Sequence, residues 1–151
     1  MSISISIESY CQYQERCHKE VRNKLYELGC NREEVECYLA EMIGRDLVNE
    51  ERYARAVARG KFRMMEWGRN KIVYKLRGSQ VSEYCIKKAL TEIDPEEYME
   101  TLIKLASKKY NSLSGKKEVR KARTYTFLYS KGFEADLIND VLKEIANAAE
   151  R

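Results

Sequence analysis

Apolar residues recur at steps of three or four along most of the chain, the spacing that places side chains on one face of an α-helix. The first set runs up to Gly29 and consists of Tyr10, Cys17, Val21, Leu25 and Leu28. Asn31 and Glu34 then match a capping box, which predicts the start of a second helix that ends at Gly44. Asn49 is predicted to begin a third helix.

One arrangement of apolar positions occurs three times. Four positions recur after shifts of 51 and 52 residues, as Leu25, Val35, Leu39 and Met42, then Leu76, Ile86, Leu90 and Ile93, then Leu128, Ile138, Leu142 and Ile145. Repeats of about 50 residues that cannot bury their apolar faces alone gain a core by packing on their neighbours. We therefore predict an all-α fold, an elongated and curved array of tandem three-helix repeats. Leu39, Leu90 and Leu142 are predicted to be equivalent buried positions.

The predicted boundaries follow from the same alignment. The three repeats are expected to occupy residues 9–66, 67–112 and 113–151, with only two helices in the last. Ile3, Ile5 and Ile7 alternate with serine as in a strand, but so short a strand cannot form a sheet unaided. Residues 1–8 are therefore expected to be a flexible tail.

The segment 49–77 is predicted to contain two helices separated by a break. The first of these helices carries a stripe of core residues and a separate stripe of arginines. Successive helical residues turn by about 100°, which gives a predicted core stripe of Tyr53, Val57, Gly60 and Met64. An arginine stripe lies roughly a third of a turn away and contains Arg52, Arg55, Arg59 and Arg63.

Charge is segregated along the chain. Residues 52–77 and 104–131 each contain nine Lys or Arg against one Glu, whereas residues 33–51 contain seven acidic residues against Arg45. Such blocks favour contact with a polyanion or an acidic protein. Simple solvation of long helices explains either basic run alone about equally well.

Composition and motifs argue against an enzyme. His18 is the single histidine and has no nucleophile motif around it, and the five cysteines show neither a disulfide framework nor zinc spacing. Glycine–lysine pairs lack the upstream glycine of a phosphate loop. We therefore expect no catalytic site, no metal site and no cofactor. Without an apolar run near 18 residues or a signal peptide, a soluble cytoplasmic protein is expected.

One stretch resembles a known family. Residues 48–54, VNEERYA, are followed by basic residues, then Trp67, Gly68 and the run RNKIVYKL. This is similar to the hallmark of the RecX proteins, in which leucine, two aspartates, any residue, arginine, phenylalanine and alanine precede a basic, glycine-containing turn. Asn49 and Glu50 stand in place of the aspartates, and Tyr53 in place of phenylalanine. The resemblance extends over about residues 16–145.

The resemblance implies a bacterial regulator of the RecA recombinase, acting in homologous recombination, DNA repair and the SOS response. Such a protein would lie along the groove of the RecA–single-stranded DNA filament and mainly inhibit filament growth, strand exchange and ATP hydrolysis. The expected partners are the RecA filament and, weakly or through the filament, single-stranded DNA. We expect a monomer with no membrane contact.

Two basic surfaces are the predicted contacts with filament or DNA. The first consists of Arg52, Arg55, Arg59, Lys61, Arg63 and Arg69, and the second of Lys116, Lys117, Arg120, Lys121 and Arg123. Phe62 and Trp67 are added as aromatic contact candidates, because basic and aromatic side chains together favour single-stranded nucleic acid. The tyrosines Tyr53, Tyr74, Tyr98, Tyr110, Tyr125 and Tyr129 are expected mainly in the core.

Two other functions fit the same pattern. A stand-alone, non-sequence-specific nucleic-acid-binding protein is one, because short three-helix units also occur in helix-turn-helix modules. The basic stripe lacks a clear Asn or Gln to read bases, which argues against sequence specificity. A structural scaffold is the other, and in that case neither charged surface would matter.

We predict weak, sequence-indifferent binding to bare DNA that falls steeply with salt, because Lys and Arg release counterions when they pair with phosphate. Titrations of unrelated duplexes at several salt concentrations measure this. Tight binding to one duplex that survives moderate salt would instead favour a helix-turn-helix reader.

Overall fold

A computed structural model describes residues 2–149, and every regular element in that range is an α-helix. The helices are α1 Ile3–Tyr13, α2 His18–Glu27, α3 Arg32–Gly44, α4 Glu50–Met65, α5 Arg69–Gly78, α6 Glu83–Leu90, α7 Pro95–Ser112, α8 Lys117–Ser130 and α9 Ala135–Ala149. The predicted all-α fold is confirmed.

Several helices begin at the capping residues that the sequence indicates. Asn31 Oδ1 accepts from the backbone N–H of Glu34 at 2.9 Å, and Asn49 Oδ1 accepts from that of Arg52 at 2.9 Å. Asp94 caps α7 in the same way, with Pro95 as the first helical residue. A side-chain oxygen at these positions satisfies a backbone donor that the helix cannot.

The N-terminal segment is helical, and the expectation of a flexible tail is corrected. Ile3 and Ile7 lie in α1, and Ile7 is fully buried. These two residues are four apart, so they share a helix face as readily as they share a strand face. The helix predicted up to Gly29 is also broken, since α1 ends at Tyr13 and α2 begins at His18. Arg16 Nε donates to the carbonyl of Tyr10 at 3.0 Å, which satisfies a carbonyl near the end of α1.

The chain forms two compact units, and the boundaries between them fall within α4, within α5 and between α6 and α7. The first unit contains residues 1–58 and 75–92. Its core lies among α1, α2 and α3 and consists of Ile7, Cys11, Val21, Leu25, Cys30, Val35, Leu39, Met42 and Val48. Tyr53 of α4 is also buried in this unit, and burial raises the pKa of its phenol to about 12.

The second unit contains residues 59–74 and 93–151, of which residues up to 149 are described. The helices α7, α8 and α9 pack pairwise on one another. Tyr98, Tyr110 and Phe133 are among its largest fully buried side chains. The two units do not coincide with the predicted repeats 9–66, 67–112 and 113–151, whose boundaries stay a prediction.

Most of the repeated apolar positions are buried. Leu39 and Leu142 are each 2% exposed, and Leu25, Leu76 and Leu128 are fully buried. The expectation for Leu90 is wrong in part, because its side chain is only half-buried and the neighbouring Ala89 is fully buried instead. Ile145 is also half-buried, with Ala146 buried beside it. At both places a small residue occupies the core, and the large one lies at its margin.

The core stripe of α4 also differs from the prediction. Tyr53 is buried as expected, but Met64 is 84% exposed, and Val57 and Gly60 are half-buried. The buried face instead consists of Tyr53, Ala54, Ala58 and Phe62. Alanines at this spacing fill the core face, although hydrophobic size alone favours valine and methionine.

A close approach between two glycines lies in the second unit. The backbone N–H of Gly68 donates to the carbonyl of Lys131 at 2.7 Å, and that of Asn70 donates to the carbonyl of Gly132 at 2.9 Å. A Cβ on Gly68 would lie 2.3 Å from the carbonyl carbon of Gly132. Gly132 itself has φ of +99°, and a Cβ there would lie 2.4 Å from Cβ of Lys71. Both positions therefore require glycine.

We predict that Gly68→Ala lowers the free energy of unfolding by about 1–3 kcal/mol, because the added methyl group collides with backbone atoms. Gly60→Ala is the matched control, since a Cβ there meets nothing within 4 Å and α4 is helical at that point. It should instead raise stability by about 0.5–1 kcal/mol. Urea unfolding followed by circular dichroism measures both, and equal effects would contradict the close approach.

Candidate functional site

The first arginines of the predicted stripe form internal ion pairs in the first unit. The guanidinium of Arg52 binds the carboxylate of Glu15 and lies 3.2 Å from Asp46 Oδ1. Arg55 donates to Glu51 at 3.1 Å and to Glu92, beyond the end of α6, at 3.1 Å. Hydrogen bonds to Glu92 and Glu51 raise the pKa of Arg55, and the bond to Glu15 raises that of Arg52. Both side chains therefore connect α4 to other segments of this unit.

Arg69, in the second unit, is similarly engaged. Its guanidinium carbon lies 3.8 Å from the centre of the Tyr98 ring, and its Nη1 donates to Glu134 at 2.8 Å. The phenol of Tyr98 accepts from the backbone N–H of Arg69 at 3.0 Å and donates to Glu134. Burial, and then the hydrogen bond to Glu134, raises the pKa of Tyr98, so its proton is held for this network. Arg69 has a clear structural role.

Trp67 lies among cations at the break between α4 and α5. The ammonium groups of Lys61 and Lys71 are 4.9 Å and 4.6 Å from the centre of its ring, within the range of cation–π attraction. Lys71 was not among the predicted contacts, although its position four residues after Trp67 is a usable signal. Arg63 is exposed on α4. The expectation that Phe62 is a contact residue is wrong, because its side chain is buried. The centre of its ring lies 5.9 Å from that of the Tyr98 ring.

The second basic surface follows α8. Lys116 and Arg123 are exposed, and Lys117 and Lys121 are half-buried. Arg120 differs from them, since its guanidinium carbon lies 4.0 Å from the centre of the Tyr110 ring and its Nη2 donates to the carbonyl of Tyr110 at 3.0 Å. Arg120 therefore joins α8 to the end of α7 and is poorly placed for an external contact.

A groove of about 440 Å³ lies between α7 and α8. Its lining residues are Lys109, Leu113, Ala122, Arg123, Thr126 and Phe127. The ammonium group of Lys109 is 5.1 Å from the centre of the Phe127 ring, so the groove has an apolar wall and a basic rim. Lys109 is a second cation outside the predicted contact set.

The tyrosines divide between core and surface. Tyr53, Tyr98 and Tyr110 are buried, as expected. The expectation of core positions is wrong for Tyr74, which is 81% exposed, and for Tyr129, which is 56% exposed. Tyr125 is half-buried, and its ring stacks on that of Tyr129 with a centre-to-centre distance of 5.8 Å and an angle of 10° between the planes.

Residues 2–149 contain no group of three or more His, Cys, Asp and Glu side chains arranged to hold a metal ion. All five cysteines are free thiols, and Cys37 is exposed whereas Cys11, Cys17, Cys30 and Cys85 are buried. No helix in the described part of the chain has the length and apolarity needed to cross a lipid bilayer.

Two family models match the chain on segments that each contain three helices. The second three-helix domain of RecX matches residues 49–90, and the third three-helix domain of RecX matches residues 96–142. The chain belongs to the RecX family. The first matched segment contains α4 to α6, and the second contains α7, α8 and the first half of α9, which confirms an architecture of three-helix repeats.

Comparisons with individual proteins agree. The chain is 35% identical over 136 residues to the regulatory protein RecX of Clostridium perfringens strain 13, covering 87% of this chain and 63% of that protein. It is 29% identical over 136 residues to the regulatory protein RecX of Prosthecochloris aestuarii, covering 90% of this chain and 88% of that protein. The chain therefore spans less than two thirds of the clostridial relative.

Two crystal structures of RecX proteins share the fold. RecX from Lactobacillus salivarius superposes with a TM-score of 0.84 at 24% identity, covering 94% of this chain and 93% of that chain. A second crystal structure, of a regulatory protein RecX, superposes with a TM-score of 0.79 at 26% identity and covers 91% of this chain and 70% of that chain.

We predict that Arg55→Glu lowers the melting temperature, because the new carboxylate would face Glu51 and Glu92 in place of their partner. Arg63→Glu is the matched control, since Arg63 is exposed and such changes usually alter stability by about 0.5 kcal/mol or less. Thermal unfolding at low salt measures both variants. If Arg55→Glu melts like Arg63→Glu, the ion pairs of Arg55 do not stabilise the first unit.

Proposed function

We propose that this RecX-family chain regulates the RecA recombinase by binding along the RecA–single-stranded DNA filament, mainly as an inhibitor of recombination and ATP hydrolysis. It acts by binding and without catalysis, as a monomer, in the cytoplasm where RecA works. The observation that carries the proposal is the family membership combined with a basic surface in the second unit. The curated relatives are named regulatory proteins, which supports a role without catalysis.

The contacts are proposed mainly among cations of the second unit. Five cations of α4, of α8 and of the N-cap of α8 are exposed or half-buried, namely Lys61, Arg63, Lys116, Lys121 and Arg123. Residues 104–131 have nine Lys or Arg against Glu118 alone. A polyanionic filament is attracted to such a surface without any sequence preference. Arg52, Arg55, Arg69 and Arg120 are proposed to act indirectly, by holding the units in shape.

Suppression of the single-stranded-DNA-dependent ATPase of the host RecA tests this function. We predict that Lys116→Glu combined with Arg123→Glu loses most of the suppression, because two attractive charges become repulsive. The matched control combines Lys87→Glu with Lys143→Glu, which makes the same change in net charge at exposed positions of α6 and α9. This control variant should suppress the RecA ATPase as strongly as the wild type does when all proteins are assayed at the same ionic strength.

Each outcome has a separate meaning. Full suppression by the folded Lys116/Arg123 variant would overturn the assignment of the contact to α8. Equal losses in both double variants would indicate a non-specific effect of net charge. A wild-type protein that binds DNA but leaves RecA unaffected would overturn the proposal and favour a stand-alone nucleic-acid-binding protein.

A further inference from the structure

The stacked tyrosines of α8 form an aromatic surface beside the basic residues of that helix. Tyr129 is 56% exposed although its ring stacks on Tyr125, so the pair presents aromatic area to solvent. Two other ring pairs of this unit, Phe62–Tyr98 and Tyr98–Phe133, both include the fully buried Tyr98. Those pairs fill the core, whereas the Tyr125–Tyr129 pair has no such role to account for its exposed ring.

The positive charge around this pair favours a polyanionic ligand. Residues 116–131 contain six Lys or Arg and a single acidic residue, Glu118. Lys121 precedes Tyr125 by one helical turn, and Tyr129 follows by another, so the three side chains lie in a row along one side of α8. A row that begins with a cation and continues with flat rings suits a ligand in which phosphates and planar bases are joined.

We propose that Tyr125 and Tyr129 bind an unpaired base of single-stranded DNA by stacking, while Lys121 pairs with an adjacent phosphate. The inference rests on the proposed function in taking single-stranded DNA as the ligand, and it adds a direct base contact to the proposed filament contact. Every base has a π face, so this contact is sequence-tolerant. Duplex DNA keeps its bases stacked internally and offers only its phosphates to the same row.

An acidic protein segment is the competing ligand for this surface. Its carboxylates could pair with the ammonium group of Lys121, but binding of such a segment does not in general require two near-parallel aromatic rings. The 10° angle between the ring planes shows that the two rings are nearly parallel, an arrangement that a planar base can continue by stacking and an irregular peptide cannot. The observations therefore favour nucleic acid, and the protein ligand becomes an outcome of the test.

The test compares two ligands with the same phosphates. The probes are a fluorescently labelled oligothymidylate and an abasic strand of equal length, titrated into the full chain and followed by fluorescence anisotropy. The wild type should bind the oligothymidylate more tightly than the abasic strand. The double variant Tyr125→Leu and Tyr129→Leu should lose this difference, with a Kd for oligothymidylate raised about 5- to 150-fold, the usual effect of one lost base stack.

Two variants serve as controls, and a third replaces the double leucine variant if that variant does not fold. Replacing both tyrosines by phenylalanine keeps the rings and should preserve tight binding. Tyr74→Leu removes an exposed tyrosine of α5 and should change nothing. If the double leucine variant is not folded by circular dichroism, Tyr129→Leu alone takes its place, because the exposed Tyr129 contributes less to packing.

The outcomes separate this inference from the proposed function when RecA ATPase suppression is measured on the same proteins. Unchanged oligothymidylate binding in the folded leucine variant overturns the inference, and a simultaneous loss of ATPase suppression would assign the tyrosines to a protein contact. Equal wild-type affinity for the abasic strand also overturns it. Loss of base-dependent binding in the leucine variant, together with a wild type that never suppresses RecA, supports the inference and overturns the proposed function.

Discussion

The second unit depends on the contact between Gly68 and Gly132. Two backbone hydrogen bonds join the start of α5 to the turn between α8 and α9, at a distance that leaves no room for a side chain on either glycine. Residues 68 and 132 are far apart in sequence and belong to segments that match different RecX domains. Within the second unit the contact therefore joins the start of α5 to the turn between α8 and α9. Arg69 and Glu134, each within two residues of one of the glycines, share hydrogen bonds with each other and with Tyr98.

This arrangement gives the basic residues two different roles. Cations that pair with carboxylates or lie over buried aromatic rings keep the helices in register, as Arg55, Arg69 and Arg120 do. Cations without such a position lie at the surface, as Arg63 and Arg123 do. Net charge cannot distinguish the two groups, yet only the second retains its attraction for an external polyanion. The proposed contact with the filament therefore needs the first group to hold in place the helices that carry the second.

The aromatic residues divide by the same logic. Tyr98 and Phe62 contribute rings to the core, and the phenol of Tyr98 is satisfied by internal partners. Tyr125 and Tyr129 stack on each other and leave ring area exposed. Trp67 lies between these cases, with two lysines near its ring. On α8, the stacked pair of tyrosines and several basic residues therefore lie on one helix.

The amino-acid sequence by itself determined the helical class, the starts of α3 and α4, most of the repeated core positions and the family resemblance. These features depend on local capping and on a period of 3.6 residues, and both are set by residues that are close together in the sequence. Ile7, Ala58 and Ala89 show where this information ended, since the burial of small or ambiguous residues depends on which helix packs against them. Only the tertiary structure decided that Arg55 faces Glu92, that Phe62 is buried and that Tyr129 is exposed. Those outcomes depend on partners distant in the chain, and the periodicity of one helix does not specify them.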